Sequence, residues 1–323
     1  MPPLLEARNV SKTYGGGFLS RKQTTALEAA SVTVVDDAPT IIAIAGESGS
    51  GKTTLARLLL GMTPPTTGQI LYNGQDLQGL DQAQWRTFRR EVQAVFQDPF
   101  EVYNPFYKVD HALTTPIGKF FPNASGAEKR RMIEEALQAV GLRPEETLGR
   151  YPHQLSGGQR QRIMVARALL LKPRVIVADE PVSMVDASLR ATILESLLKV
   201  HKAFGISIIY ITHDLTTAYQ LSERILMMYR GNVVEAGAVD QVIKAPQHPY
   251  TQLLIDSIPL PNPKVHWGQH AVQPRQSTNG VAATGCRFAD RCPQVMARCH
   301  SAAPPFFTTD LDRTVACFLY EPS

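Results

Sequence analysis

The chain has 323 residues, of which 44 % are hydrophobic and 19 % charged, with a formal net charge of +4. Its length suggests a globular protein of about two domains with a large core. The small net charge argues against nucleic acid as a partner. No apolar run approaches the roughly 18 residues of a membrane span, and the N-terminal residues lack the pattern of a secretory signal peptide.

The predicted elements alternate between short apolar strands and helices. Two strand-like stretches, LLEARNVSKTY and SVTVV, come first. TIIAIAG (40–46) follows and ends in a glycine just before a helical pattern. Two more buried strands are predicted at RVIVADEP (174–181) and ISIIYITHD (206–214). This order is typical of an α/β fold, in which helices cover a parallel sheet.

Two segments depart from this alternation. From about 97 to 172 the pattern is helical, and it predicts a helical insert in the α/β core. In AEKRRMIEEALQAVGL the apolar residues that fall on one helix face are Met132, Ile133, Ala136, Leu137 and Val140. From 259 to 285 the composition shifts to Pro, Gly, Gln, Asn and Thr without periodicity, which predicts a linker or an irregular arm.

The first chemical motif is GESGSGKTT (46–54), which matches G-x-x-x-x-G-K-[ST] between a predicted strand and a helix. Its glycines let the backbone curl so that N–H groups face phosphates, and the helix N-terminus favours an anion. Lys52 supplies a cation to the β- and γ-phosphates, and the Thr53 hydroxyl can ligate Mg²⁺. The residues predicted to bind nucleotide here are Gly46, Glu47, Ser48, Gly49, Ser50, Gly51, Lys52, Thr53 and Thr54.

Two further motifs extend the phosphate chemistry. VIVADE (175–180) ends a strand with two acids: Asp179 can hold Mg²⁺, directly or through water, and Glu180 can act as the general base for an attacking water. In LSGGQRQRIMVARALLLK (155–172), Ser156 can cap a helix whose first glycines let backbone N–H groups approach an anion. The chain therefore carries a second phosphate-binding surface.

Together these motifs resemble the nucleotide-binding subunit of an ATP-binding cassette (ABC) transporter, over about residues 4 to 245. The resemblance implies an ATPase with a P-loop NTPase (RecA-like) core, an ABC β-subdomain and the helical insert. It implies that Tyr14 stacks on adenine, Gln97 touches Mg²⁺ and the water, Asp186 links two sites, and His213 contacts the γ-phosphate. Where the family more often has Ala-Leu before this aspartate, the chain has Met-Val.

The family resemblance also implies a partner chain. Two such subunits stack head to tail, and each ATP lies between the phosphate loop of one and the LSGGQ signature of the other. The signature residues here are Leu155, Ser156, Gly157, Gly158 and Gln159. A second ABC ATPase subunit, most often non-identical, and two membrane permease subunits are therefore expected, and the chain should lie peripherally on the cytoplasmic face of the cell membrane.

KAPQHPYTQLLIDSIPLPNP (244–263) resembles the C-terminal extension of the oligopeptide and dipeptide importer branch, whose hallmark is HPYT. The expected organisation is a cassette at 1–245 and an extension at 246–323. The expected function is ATP-driven import of di- or oligopeptides delivered by an external solute-binding protein. Nickel or oligosaccharide import, and a soluble ABC ATPase that acts on nucleic-acid machinery, remain alternatives, and the extension could be a regulatory module.

All four cysteines lie in the extension, with the spacing Cys-x₅-Cys-x₆-Cys-x₁₇-Cys. A cytosolic chain keeps its thiols reduced, which disfavours disulfides. Structural zinc usually takes Cys-x₂₋₄-Cys pairs, whereas an iron–sulfur cubane can be reached from longer loops. The resemblance to importers of this branch that have a C-terminal cysteine quartet also implies a [4Fe–4S] cluster. We therefore predict one [4Fe–4S] cluster held by Cys286, Cys292, Cys299 and Cys317. The cluster is expected to order the extension, and redox sensing is an alternative role; Zn²⁺ or no metal are the alternatives to the cluster itself.

Overall fold

The computed structural model of the chain describes residues 2–15, 23–98, 103–258 and 284–322. These residues form two β-sheets with helices packed around them. The strands are β1 Leu5–Tyr14, β2 Thr24–Val34, β3 Ile41–Ala45, β4 Thr67–Tyr72, β5 Gln75–Asp76, β6 Val92–Val95, β7 Val175–Asp179, β8 Ser207–Thr212, β9 Arg224–Tyr229, β10 Asn232–Ala238, β11 Phe307–Asp310 and β12 Arg313–Val315.

The α-helices of the described residues lie between and around these strands. They are α1 Lys52–Leu59, α2 Gln82–Glu91, α3 Val109–Phe120, α4 Gly126–Ala139, α5 Pro144–Thr147, α6 Gly157–Leu169, α7 Ala187–Phe204, α8 Leu215–Leu221, α9 Val239–Lys244, α10 Pro249–Asp256 and α11 Ala297–Ser301. None of the helices in these ranges is both long and apolar enough to cross a membrane.

The larger sheet has eight strands in the order β11-β12-β10-β9-β3-β8-β7-β6. Strands β9, β3, β8, β7 and β6 pair in parallel. Strands β3 and β8 are buried at every position, because helices cover both faces, and this is why their sequences are continuously apolar. The predicted α/β class and the three predicted inner strands are confirmed, and the carboxyl ends of the parallel strands lie at one edge.

The smaller sheet is antiparallel and has the order β2-β1-β4-β5. It shares a hydrophobic core with α1 and the larger sheet, in which Leu5, Leu27, Ile44 and Leu55 are all buried. This packing fixes α1, and with it the loop that precedes α1, between the two sheets.

A second core joins α3, α4 and α6 to α7 and the other face of the larger sheet. Helices α3, α4 and α6 lie in the stretch at about 97 to 172 predicted to be helical, whereas α7 lies beyond it. Of the predicted apolar face, Ile133, Ala136, Leu137 and Val140 are buried and Met132 is half-buried, as 3.6-residue periodicity requires.

The C-terminal segment, which comprises residues 246–258 and 284–322 of the described chain, extends the larger sheet through β11 and β12. β12 pairs antiparallel with β10, so that Glu235 faces Val315 and Ala236 faces Thr314. The sequence gives no sign of this pairing, because a three-residue strand is too short to show alternation. The predicted linker at 259–285 lies almost entirely outside the described residues, and the boundary at 245 stays a prediction.

Candidate active site

The loop between β3 and α1 closes tightly against its surroundings. Gly46 has φ +152°, and a Cβ there would lie 2.1 Å from the carbonyl oxygen of Met228. Gly51 has φ +101°, and a Cβ there would lie 2.5 Å from the carbonyl oxygen of Ala26. Both positions therefore require glycine, both for backbone conformation and for space. The curled backbone predicted from GESGSGKTT is what the structure contains.

Lys52 is buried at the first turn of α1. Its Nζ donates hydrogen bonds to the carbonyl oxygens of Gly46 at 2.7 Å and Glu47 at 2.9 Å. Burial lowers the pKa of the Lys52 ammonium, and the neighbouring carboxylates of Glu180, Asp179 and Glu47 oppose that shift. The ammonium thus sits inside the loop, where a bound polyphosphate would meet it.

Asp179 ends β7 and faces the same loop. Burial raises the pKa of its carboxyl, against a hydrogen bond from Thr53 and the charge of Lys52. Its Oδ1 is buried and has no hydrogen-bond partner among the described residues. A buried carboxylate oxygen without a protein partner is costly, and a cation or its bound water would satisfy it. Asp179 and Thr53 therefore fit a Mg²⁺ site.

Glu180 and His213 follow two neighbouring parallel strands, β7 and β8. The Nδ1 of His213 lies 3.1 Å from Oε2 of Glu180. Glu180 has φ +47°, a left-handed conformation that is strained for a residue with a side chain, and its N–H donates to the carbonyl of Ile211 at 2.9 Å. Strained backbone held by sheet hydrogen bonds is typical of functional positions, because surrounding structure must enforce it.

The signature LSGGQ begins helix α6. The Ser156 side chain accepts a hydrogen bond from the N–H of Gln159 at 3.2 Å, and the Gln159 side chain accepts one from the N–H of Ser156 at 2.9 Å. This capping box confirms the predicted cap. A Cβ on Gly158 would lie 3.1 Å from the Leu189 side chain, so the glycine lets α6 approach α7 closely.

Three other predicted residues are exposed. Tyr14 ends β1, and its ring is accessible because the residue is 41 % exposed. Lys12 Nζ lies 5.4 Å from the ring centroid. Gln97 follows β6 at the same carboxyl edge as Glu180 and His213. Asp186 precedes α7, and its side chain makes no capping hydrogen bond. The structure thus gathers the phosphate loop, both acids, His213 and Gln97 at one edge of the sheet.

Comparison with known proteins identifies the family to which this site belongs. The ABC transporter family model matches residues 30–183. A probable peptide ABC transporter ATP-binding protein of Sinorhizobium fredii is 37 % identical over 99 % of this chain and 91 % of its own length. This chain belongs to the ATP-binding proteins of ABC transporters.

Other relatives and solved structures agree with the family. The oligopeptide transport ATP-binding protein OppF of Escherichia coli is 35 % identical over 87 % of this chain and 84 % of its own. The di/tripeptide transport ATP-binding protein DppF of Pseudomonas aeruginosa is 37 % identical over 98 % of both chains. The dimeric post-hydrolysis structure of the ATP-binding cassette MJ0796, bound to ADP and Pi, is 29 % identical with a TM-score of 0.63 and covers 73 % of this chain and 98 % of that one. The chain thus contains the ABC ATPase cassette fold, as predicted, while the predicted irregular Cys-rich extension stays a prediction.

The oligopeptide/dipeptide transporter C-terminal region model matches residues 234–299 of this ABC protein. This range holds the HPYT string, and His248 caps α10 by accepting a hydrogen bond from the N–H of Tyr250 at 3.0 Å. The prediction of the importer branch from HPYT is therefore confirmed at the level of the family.

The four cysteines of this ABC protein line one small cavity together with apolar side chains such as Phe288 and Met296. All four are free thiols. Burial raises the pKa of the Cys286 and Cys317 thiols, and raises that of Cys292 to about 11. In the part of the chain that the structure describes, no group of three or more His, Cys, Asp or Glu side chains has the geometry to hold a metal ion. The predicted metal site is thus unsupported by the geometry of the thiols.

Sequence reasoning missed two residues that reach the phosphate loop, Tyr250 and Arg291. Both contact Glu47 from the C-terminal segment. Tyr250 belongs to the HPYT string, which indicates a branch of the family but names no contact, and Arg291 carries no local signal at all. Their role is developed below.

Proposed function

We propose that this chain hydrolyses ATP to power the import of di- or oligopeptides through a membrane ABC transporter. The observation that carries the proposal is that one chain joins a complete catalytic edge to the C-terminal region of oligopeptide/dipeptide transporters, at 234–299. The relatives named as peptide transport ATP-binding proteins support the same cargo. Nickel or oligosaccharide cargo, or a soluble ATPase without a membrane partner, are alternative outcomes of the test below.

In this proposal each residue at the catalytic edge has a distinct task. Lys52 exchanges its two loop carbonyls for the β- and γ-phosphates, which loop N–H groups also bind. Thr53, Asp179 and Gln97 hold Mg²⁺, which neutralises phosphate charge when bound. Glu180 accepts the proton of the attacking water, and its contact with His213 at 3.1 Å keeps both side chains at the γ-phosphate position.

The complete site needs two ATPase chains. We propose that residues 155–159 face the nucleotide held by the partner's phosphate loop, that Tyr14 stacks on adenine, and that Asp186 lies between the two sites. The isolated chain should therefore hydrolyse ATP slowly, because half of each site is missing. The partner is a different ATPase subunit, and mass spectrometry of the purified complex should show two ATPase species; one species present twice would refute the heterodimer.

The same proposal places two permease subunits and an external solute-binding protein in the complex, with this chain peripheral on the cytoplasmic face of the membrane. The names of the peptide transport relatives support this assignment. No nucleic acid partner is needed.

We further propose that the cysteine cavity holds one [4Fe–4S] cluster. This proposal rests on the donor set: four free thiols line one cavity, and such a cluster takes one cysteine for each iron, although the described residues do not hold these thiols in metal-binding geometry. When bound, the cluster would cross-link the segments that carry Cys286, Cys292, Cys299 and Cys317, and so order a region with little apolar surface of its own. Zn²⁺ is the alternative that metal analysis distinguishes.

Reconstitution tests the function directly. The ATPase pair and its permeases are placed in proteoliposomes with the solute-binding protein, and uptake of radiolabelled di- and oligopeptides is measured together with phosphate release. We expect ATP-dependent uptake that a matched Glu180→Gln complex loses. Uptake of nickel or an oligosaccharide instead of peptides would correct the cargo, and co-purification with ribosomes or DNA instead of permeases would overturn the proposal.

A further inference from the structure

The phosphate-binding loop is held by two side chains from outside the cassette core. Glu47, the second residue of GESGSGKTT, accepts two hydrogen bonds from the guanidinium of Arg291, at 3.0 and 3.1 Å, one on each carboxylate oxygen. Its backbone N–H donates to the Tyr250 hydroxyl at 2.8 Å. Tyr250 and Arg291 lie 203 and 244 positions further along the chain. Both the side chain and the backbone of one loop residue are thus fixed by the C-terminal segment.

An aromatic cluster orients these two contacts. The rings of Tyr229, Tyr250 and Phe288 lie with centroids 4.6 to 5.7 Å apart. The guanidinium of Arg291 lies 5.6 Å from the Tyr229 centroid and 5.7 Å from that of Phe288. A guanidinium packed against two rings has little freedom left, so its fork points at Glu47 without a further cost in side-chain entropy.

Glu47 in turn is bound to the residue that meets the phosphates. Its carbonyl oxygen accepts a hydrogen bond from Lys52 Nζ at 2.9 Å. Without Arg291, its carboxylate would be an unpaired anion beside a polyphosphate, and the two would repel each other. The loop also contains glycines at positive φ, whose freedom must be lost when nucleotide binds. Pairing Glu47 with Arg291 and Tyr250 reduces both the charge repulsion and the loss of backbone freedom on nucleotide binding.

We propose that Arg291 and Tyr250 are positioning residues for the phosphate-binding loop, which hold Glu47 and thereby raise the affinity of this chain for ATP. The C-terminal segment then has a task in nucleotide binding. Arg291 offsets the charge of Glu47 and orients its side chain, while Tyr250 fixes its backbone.

A double-mutant cycle on the full-length chain tests the Arg291 contact. We expect Arg291→Gln to weaken binding of a fluorescent ATP analogue by about three- to fivefold, a modest loss because the pair is partly exposed. In a Glu47→Gln background the same change should weaken binding by less than about 1.5-fold, since the partner charge is gone. The matched control is Arg287→Gln, which breaks another ion pair between this segment and the cassette, that of Arg287 with Glu28 at 2.6 Å, and should leave ATP affinity unchanged.

Tyr250→Phe gives an independent readout, because it removes one hydroxyl from helix α10 and leaves the aromatic cluster in place. We expect about two- to threefold weaker ATP binding in both the wild-type and the Glu47→Gln backgrounds, since the bond is to the backbone. In the assembled transporter both variants should raise KM for ATP and keep kcat. The proposal is overturned if Arg291→Gln weakens binding equally in both backgrounds or no more than Arg287→Gln does, or if Tyr250→Phe binds ATP like the wild type.

Discussion

Replacing Arg313 by methionine should break the buried ion pair that joins the C-terminal segment to the cassette. Arg313 on β12 lies 2.6 Å from Glu235 on β10, and their side chains are 4 % and 0 % exposed. The same guanidinium donates to the carbonyl of Ala245. Methionine fills a similar volume but leaves the Glu235 carboxylate buried without its cation.

The structure sets the expected cost. Removing one partner of a buried pair typically destabilises by about 3–5 kcal/mol. Glu235 keeps two other donors, the N–H groups of Gln247 and His248, each at 3.0 Å. We therefore expect a cost at the lower end of this range: the free energy needed to open the β10–β12 pairing should fall by about 3 kcal/mol. A Glu235→Gln/Arg313→Met double variant should recover about half of the loss, because the uncompensated charge is removed.

Hydrogen exchange followed by mass spectrometry measures this opening. Ala316 donates its N–H to the carbonyl of Val234 at 2.9 Å, and we expect amides of this region to exchange about a hundredfold faster in Arg313→Met. The control is Arg224→Gln, which breaks an exposed pair with Asp312 at 3.8 Å that also spans cassette and segment and should cost less than about 0.5 kcal/mol. Exchange in Arg313→Met no faster than in this control would refute the reasoning.

Three further changes test the catalytic edge and the cysteines. Glu180→Gln should keep ATP binding but lower phosphate release by the assembled complex about 10²- to 10⁴-fold, because it removes the base and keeps the size; a normal rate would exclude Glu180 as the base. Lys52→Ala should weaken ATP binding about tenfold or more, measured by titration with a fluorescent analogue, and an unchanged affinity would contradict its role. Wild-type protein purified without air should be coloured and contain about four irons per chain, and each of the four single cysteine-to-serine variants should lack both the iron and the colour. Colourless wild-type protein with one zinc and no iron would exclude the cluster.

The catalytic motifs of this protein were predictable from sequence because each is a contiguous string. GESGSGKTT, VIVADE and LSGGQ carry their chemistry in adjacent residues, and inner strands such as β3 and β8 are continuously apolar because both faces are buried. The same strings, with HPYT, identified the family.

What only the tertiary structure decided are the contacts between residues far apart in the chain. Local periodicity carries no information about which strand a three-residue segment such as β12 will join, or that Arg291 will meet Glu47 across 244 positions. The cysteine spacing predicted that the four cysteines converge, and they do line a single cavity, but only the structure shows that the described residues do not hold them in metal-binding geometry. The contact between Arg291 and Glu47 forms because burial of Phe288, Tyr229 and Tyr250 in one apolar cluster brings the segment against the phosphate loop, and that packing depends on the whole fold.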